Sequence, residues 1–191
     1  MYLTIVFGWI FYFAVHSFLA ANSVKQWFKQ HMPFVFKYYR ILYNMIAIAG
    51  LLILMQVTFY DSKLLIATNT ISNSIAVVLL LTGSGILAVS FYTFDKMEFL
   101  GLRKPKENEQ SKLVISGIYK YMRHPLYSGI FFLVSGVLLL HPTVAIALFF
   151  AISVLYIEIG SRLEEKKLTE EFGQAYSTYA ENVKRYFPYL Y

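Results

Sequence analysis

Five apolar runs, each close to the length that crosses a bilayer, divide this chain, and a sequence so divided has few folds open to it. They cover residues 2–21, 41–60, 71–94, 125–140 and 143–160. A hydrocarbon core about 30 Å thick takes roughly 20 helical residues at about 1.5 Å each. Lipid offers no partners for backbone polar groups, so such runs cross as helices. The sequence predicts an all-α integral membrane helical bundle of about five transmembrane helices, one domain over 1–191, with a cytoplasmic loop at 95–124 and a cytoplasmic tail at 161–191. Composition agrees, because 58% of the residues are hydrophobic and only 15% charged, too apolar a balance for a soluble domain. The run at 125–140 reaches a spanning length only if its helix begins at Pro125.

Charge orients the bundle. Of the 17 Lys and Arg residues, four lie in 25–40, one in 61–70, seven in 95–125 and five after 160. Five crossings with the N-terminus outside place all but Lys63 in the cytoplasm, as the positive-inside rule requires. The net charge of +6 is thereby assigned to membrane orientation, and nucleic acid is not an expected partner. Cysteine is absent, which excludes a disulfide framework, a Cys-ligated zinc site and a cysteine nucleophile. No metal site is expected.

The first run has no basic segment before it and no small-x-small cleavage site at its end, so it reads as a retained helix rather than a signal peptide. Its ionisable residue is His16, with Thr4, Gly8 and Tyr12 at four-residue steps on one face. An ionisable group in a membrane run is a functional candidate, and near a helix end it is equally an interfacial residue. The second run opens with Arg40, Tyr43 and Asn44; Arg40 and Asn44 are one turn apart and either share a polar pocket or serve headgroups and a neighbouring helix. Gly83 to Ala88 fits a degenerate dinucleotide fingerprint. That fingerprint needs a preceding strand, so small residues in an apolar helix read instead as a close-packing surface. His141 and Pro142 break the last two runs into a hairpin. Glu158 and Arg162, four apart, read as a local ion pair. After residue 160, Leu168, Phe172, Tyr176, Tyr179 and Val183 give an amphipathic helix bent at Gly173.

Chemistry concentrates at Lys112 to Gly129, KLVISGIYKYMRHPLYSG, where a charged loop enters a helix. Gly117 allows a tight turn, Tyr119 and Tyr121 bring aromatic faces, Arg123 and His124 bring donors, and Pro125 suits a first helical position. Helix-start amides beside a guanidinium seat an anion. The same residues also serve as an interfacial anchor. After the hairpin comes SRLEEKKLTEEFGQAYSTYAENVKRYFP, with Glu164 and Glu165 at the membrane exit.

The motifs LVxxGIYxxxRHPxY, Leu113 to Tyr127, and LEExxLxxEFGxxYxxY, Leu163 to Tyr179, resemble those of the small integral-membrane methyltransferases that use S-adenosylmethionine. That group includes isoprenylcysteine carboxyl, phospholipid and methanethiol S-methyltransferases. HSFLA, YRILYN and FDKMEFLGLRK are similar to the methanethiol S-methyltransferase and NnrU-like branch, which points to a bacterial inner membrane. The resemblance implies a cofactor site in which Arg123, His124 and the helix start at Pro125 seat a carboxylate. Glu164 or Glu165 then accepts from the ammonium or ribose, and Gly117, Leu113, Ile118, Tyr119 and Tyr127 shape the remainder. Acceptor candidates are His16, Tyr43, Asn44, Glu98 and Arg103, at the same depth. Methyl transfer is an in-line displacement in which the protein aligns the reactants and excludes water. A thiol or amine acceptor must also lose a proton, for which His16, His124 and Glu98 are open alternatives. The expected reaction methylates a small thiol; a lipophilic acceptor and a non-enzymatic scaffold are the alternatives.

Overall fold

The computed structural model describes residues 1–61, 63–92 and 113–190, and these are predominantly helical. The helices are α1 (Tyr2–Ala20), α2 (Asn22–His31), α3 (Pro33–Phe36), α4 (Tyr39–Phe59), α5 (Thr70–Tyr92), α6 (Pro125–Leu140), α7 (Val144–Phe172) and α8 (Gln174–Asn182). A 3₁₀ turn at Gly117–Lys120 precedes α6. Among the described residues, α1, α4, α5 and α7 are each long and apolar enough to cross a membrane. The expected fifth crossing, α6, has 16 residues and is the short one.

The pairing of α5 and α6 shows how a short helix is held in lipid. A methyl group on Gly83 would lie 2.7 Å from the Gly129 carbonyl, one on Gly129 2.7 Å from Leu87, and one on Gly136 2.8 Å from Leu80. Where the surrounding solvent is as apolar as the side chains, close backbone approach through small residues replaces hydrophobic burial as the source of attraction. The expected packing surface in α5 is real at Gly83, whereas Gly85 faces open space.

On the other side, α1, α6 and α7 share a core of Ile5, Trp9, Val134, Ala145 and Phe149. Trp9 packs on Phe149 with centroids 4.2 Å apart and planes inclined by 35°, and its indole N–H donates to Thr58 of α4 at 3.0 Å. That bond, worth about 1 kcal/mol net, fixes the rotation of α1 against α4. At one end of the bundle Asp61 and Leu65 meet the α6–α7 hairpin tip. Leu65 N–H donates to Pro142 O at 2.7 Å, and the buried Asp61 carboxylate accepts from the Ala145 amide at 3.4 Å.

The helix α7 does not end where its apolar run ends at Gly160. It continues unbroken through Glu164 and Glu165 to Phe172, because nothing from Ser161 to Phe172 breaks a helix and Lys, Leu and Glu favour one. Gly173, at φ 55°, makes the break, and α8 follows.

Candidate active site

Gly117 takes φ 62° and starts the 3₁₀ turn, a conformation costly for residues with a β-carbon. The turn is stitched by Tyr121 and Met122 amides donating to Ile118 O, at 3.0 and 3.3 Å. Leu113, Ile118 and Tyr119 are half-buried along this entry. Burial, and then the charge of Glu164, push the Tyr119 phenol up. Its backbone carbonyl accepts from the Tyr179 hydroxyl at 2.6 Å, so α8 is tied to the turn.

The two motifs meet at Glu165. Its carboxylate accepts from Arg123 Nε at 2.9 Å, from Arg185 Nη2 at 2.7 Å and Nε at 3.2 Å, and lies 3.1 Å from His124 Nε2. Burial would push the Glu165 carboxyl up, but the hydrogen bonds from His124, Arg185 and Arg123 outweigh it and hold the group well below the usual carboxylate range. Arg123 Nη1 also donates to the carbonyls of Ala180, at 2.6 Å, and Val183. The segment after α8 therefore straps the helix start. Arg123 and His124 amides donate to Lys184 and Arg185 carbonyls at 2.9 and 3.0 Å, and the buried Ser128 hydroxyl donates to Tyr186 O at 2.7 Å.

This geometry gives the expected site residues distinct jobs. Most of the Arg123 guanidinium is committed to Glu165 and to two carbonyls, so it is first a clasp. Glu164 is freer: its carboxylate is half exposed, 3.7 Å from His124 Nδ1, and faces the Tyr127 hydroxyl. Tyr127 reaches that place because Gly160 leaves a notch; a β-carbon there would sit 3.3 Å from the phenol oxygen. The Tyr176 hydroxyl is buried with no hydrogen-bond partner among the described residues, although Glu165, Arg123 and Glu164 all act on it electrostatically. A half-exposed carboxylate, an orphaned donor and aromatic walls fit a cofactor that carries an ammonium, a ribose diol and an adenine.

The acceptor candidates divide. His16 of α1 and Tyr43 of α4 face one another, with the Tyr43 hydroxyl 2.9 Å from His16 Nε2. They line a groove of about 260 Å3 whose walls include Gly8, Tyr12, Ala47 and Gly50, and it is almost wholly apolar apart from this pair. Asn44 is the next residue of α4 and half-buried. Glu98 and Arg103 lie outside the described residues, as do Lys112 and the FDKMEFLGLRK segment. Sequence reasoning missed Arg185 and Tyr186. Tyr186 donates to Glu158 at 2.9 Å and lies 2.5 Å from the Ser161 hydroxyl. The foreseen Glu158 and Arg162 pair forms at 2.6 Å, with Arg185 as a second partner of Glu158 at 3.3 Å.

Residues 71–175, more than half of the chain, match the family model described as phospholipid methyltransferase. The methanethiol S-methyltransferase of Pseudomonas deceptionensis is 29% identical over 186 residues, covering 93% of this chain and 70% of that protein. Methanethiol S-methyltransferase 1 of Bradyrhizobium diazoefficiens is 30% identical, over 93% of this chain and 64% of its own length. Protein-S-isoprenylcysteine O-methyltransferase B of Arabidopsis thaliana is 38% identical over 96 residues, 48% of this chain and 47% of that protein. No solved structure matches the chain.

Proposed function

The chain belongs to the phospholipid methyltransferase family, an integral-membrane methyltransferase by that membership, and from this premise we propose that it methylates a small thiol such as methanethiol with S-adenosylmethionine as donor. The observation that carries the small-thiol reading is the α1–α4 groove, compact and apolar, with His16 and Tyr43 as its polar pair. A thiol has to be held away from water and relieved of a proton, and an imidazole does the second at neutral pH. The similarity to methanethiol S-methyltransferases along nine-tenths of the chain supports the same reading.

When bound, S-adenosylmethionine supplies an electrophilic methyl on sulfur. The residues proposed to hold it are Leu113, Gly117, Ile118, Tyr119 and Tyr127 as walls and turn, with Glu164 as acceptor for ammonium or ribose. Arg123, His124, Pro125 and Glu165 shape the floor, since their polar atoms are tied to one another and to the strap. His16 takes the thiol proton and Tyr43 orients the imidazole, with Asn44 beside Tyr43 on α4 as a further polar candidate. The bundle is proposed to lie with its N-terminus outside and both motifs in the cytoplasm, as in a bacterial inner membrane.

A second reading has one observation in its favour. An apolar groove of about 300 Å3 between α6 and α7, lined by Tyr127, Phe131, Leu155 and Phe187, begins beside the cofactor motif and would admit the chain of a prenylcysteine or phospholipid acceptor. Purified protein supplied with methyl-labelled donor separates the readings. Label in methanethiol product, with none in a prenylcysteine or a phosphatidylethanolamine, is expected; the reverse distribution overturns the choice.

A further inference from the structure

One face of α7 links the cofactor motif to the α1 helix that carries His16. Tyr156, Gly160 and Glu164 follow one another at four-residue steps and lie one above the next. Glu164 and the notch at Gly160 belong to the cofactor end, where the Tyr127 hydroxyl lies over the glycine. At the other end the Tyr156 ring stacks on Phe13 of α1, centroids 4.2 Å apart and planes inclined by 13°. Its hydroxyl is 3.0 Å from the Ser17 hydroxyl. Phe13 and Ser17 are one turn apart, so they meet α7 with a single face of α1, while the adjacent His16 turns to Tyr43 on α4.

We propose that the Ser17–Tyr156 hydrogen bond is a positioning contact for the acceptor half of the reaction, holding His16 at a fixed depth along the Glu164 face of α7. The inference rests on the small-thiol reading. In the reaction the thiol S–H bond breaks and its proton passes to the His16 imidazole; the sulfur pair forms the new S–C bond as the bond from that methyl carbon to the donor sulfur breaks. The products are a thioether and S-adenosylhomocysteine, with no further reactant needed. In-line transfer tolerates little misplacement, about a hundredfold in rate for roughly 1 Å. The stacked ring sets the spacing of α1 and α7, and the hydroxyl pair adds a directional contact next to His16.

Tyr156→Phe keeps the stack and deletes the bond, and Ser17→Ala deletes the same bond from the other side. Each is expected to lower kcat/KM for methanethiol about tenfold, with S-adenosylhomocysteine affinity by calorimetry within about twofold of wild type. The double variant should be no worse than either single one, because all three lack one interaction. Both single variants at wild-type kcat/KM, or a double variant whose loss is the product of the two, overturns the inference. So does a parallel loss of cofactor affinity, the mark of a merely structural bond. Absence of thiol turnover by the wild type overturns the underlying reading instead, and is told apart because no variant is needed to see it.

Discussion

Arg123 and Glu165 are 42 residues apart in sequence and 2.8 Å apart in space, and their ion pair joins the start of α6 to the cytoplasmic-facing part of α7 in the proposed orientation. Each residue is mostly buried, at 11% and 15% side-chain exposure, so removing one leaves the other short of partners.

Arg123→Ala and Glu165→Ala should therefore each weaken S-adenosylhomocysteine binding through the fold of the site. A charge-assisted hydrogen bond is worth roughly 1.5 to 3 kcal/mol, or about ten- to a hundredfold in affinity. Both variants are also expected to unfold at lower temperature in detergent. Wild-type affinity in both would contradict the assignment of the two motifs to one site.

Glu164→Gln should separate binding from stability. With the carboxylate half exposed and His124 Nδ1 at 3.7 Å, the exchange is expected to leave Tm within a degree or two. Affinity for S-adenosylhomocysteine should nonetheless fall about tenfold. A Tm loss as large as that of Glu165→Gln would show that Glu164 is structural.

Acid should loosen the strap through Glu165. The carboxyl sits well below its usual range when folded and near about 4.3 when unfolded, so its contribution is complete above the unfolded value and is lost as pH falls toward the folded one. Thermal unfolding followed from about pH 7 to about pH 3 is expected to show a Glu165-dependent decline only below roughly pH 4.5. Glu165→Gln should lower Tm at neutral pH and flatten that decline. An identical acid slope in the variant would refute this.

His16→Ala and Asn44→Ala are expected to abolish methylation of methanethiol while S-adenosylhomocysteine binding survives. His16 lines the groove formed by α1 and α4, and Asn44 follows the lining residue Tyr43 on α4, whereas the cofactor motifs lie on α6 and α7 and the turn before them. Retention of full turnover by both variants would remove the groove from the mechanism.

The proposed orientation is tested by single cysteines, which this cysteine-free chain makes simple. Ala67→Cys should react with an impermeant thiol reagent added to intact cells, and Asn108→Cys should not. Labelling at position 108 from outside would invert the topology.

The architecture was legible because apolar run length and helix spacing are local properties. They give the four long apolar helices, the Glu158 and Arg162 pair at i, i+4 and the packing role of Gly83. The two motifs were legible as partners by resemblance, and Glu165 does meet Arg123 and His124. The strap was not. Arg185 reaches Glu165 only because the chain turns back at Gly173 and again after Asn182, and no periodicity in VKRYFP signals that return. Sequence also presented Arg123 as an anion seat, because a guanidinium beside a helix start reads the same whether its carboxylate belongs to a ligand or to Glu165. Ser17 and Tyr156, 139 residues apart, carry no local mark of their contact.

The most direct test of the account is the product released when detergent-purified protein is given S-adenosylmethionine and methanethiol, measured as dimethyl sulfide in the headspace alongside S-adenosylhomocysteine in solution. Equal amounts of the two products, rising with enzyme concentration and absent in His16→Ala, are predicted. Turnover of a prenylcysteine or phospholipid with no dimethyl sulfide would contradict it.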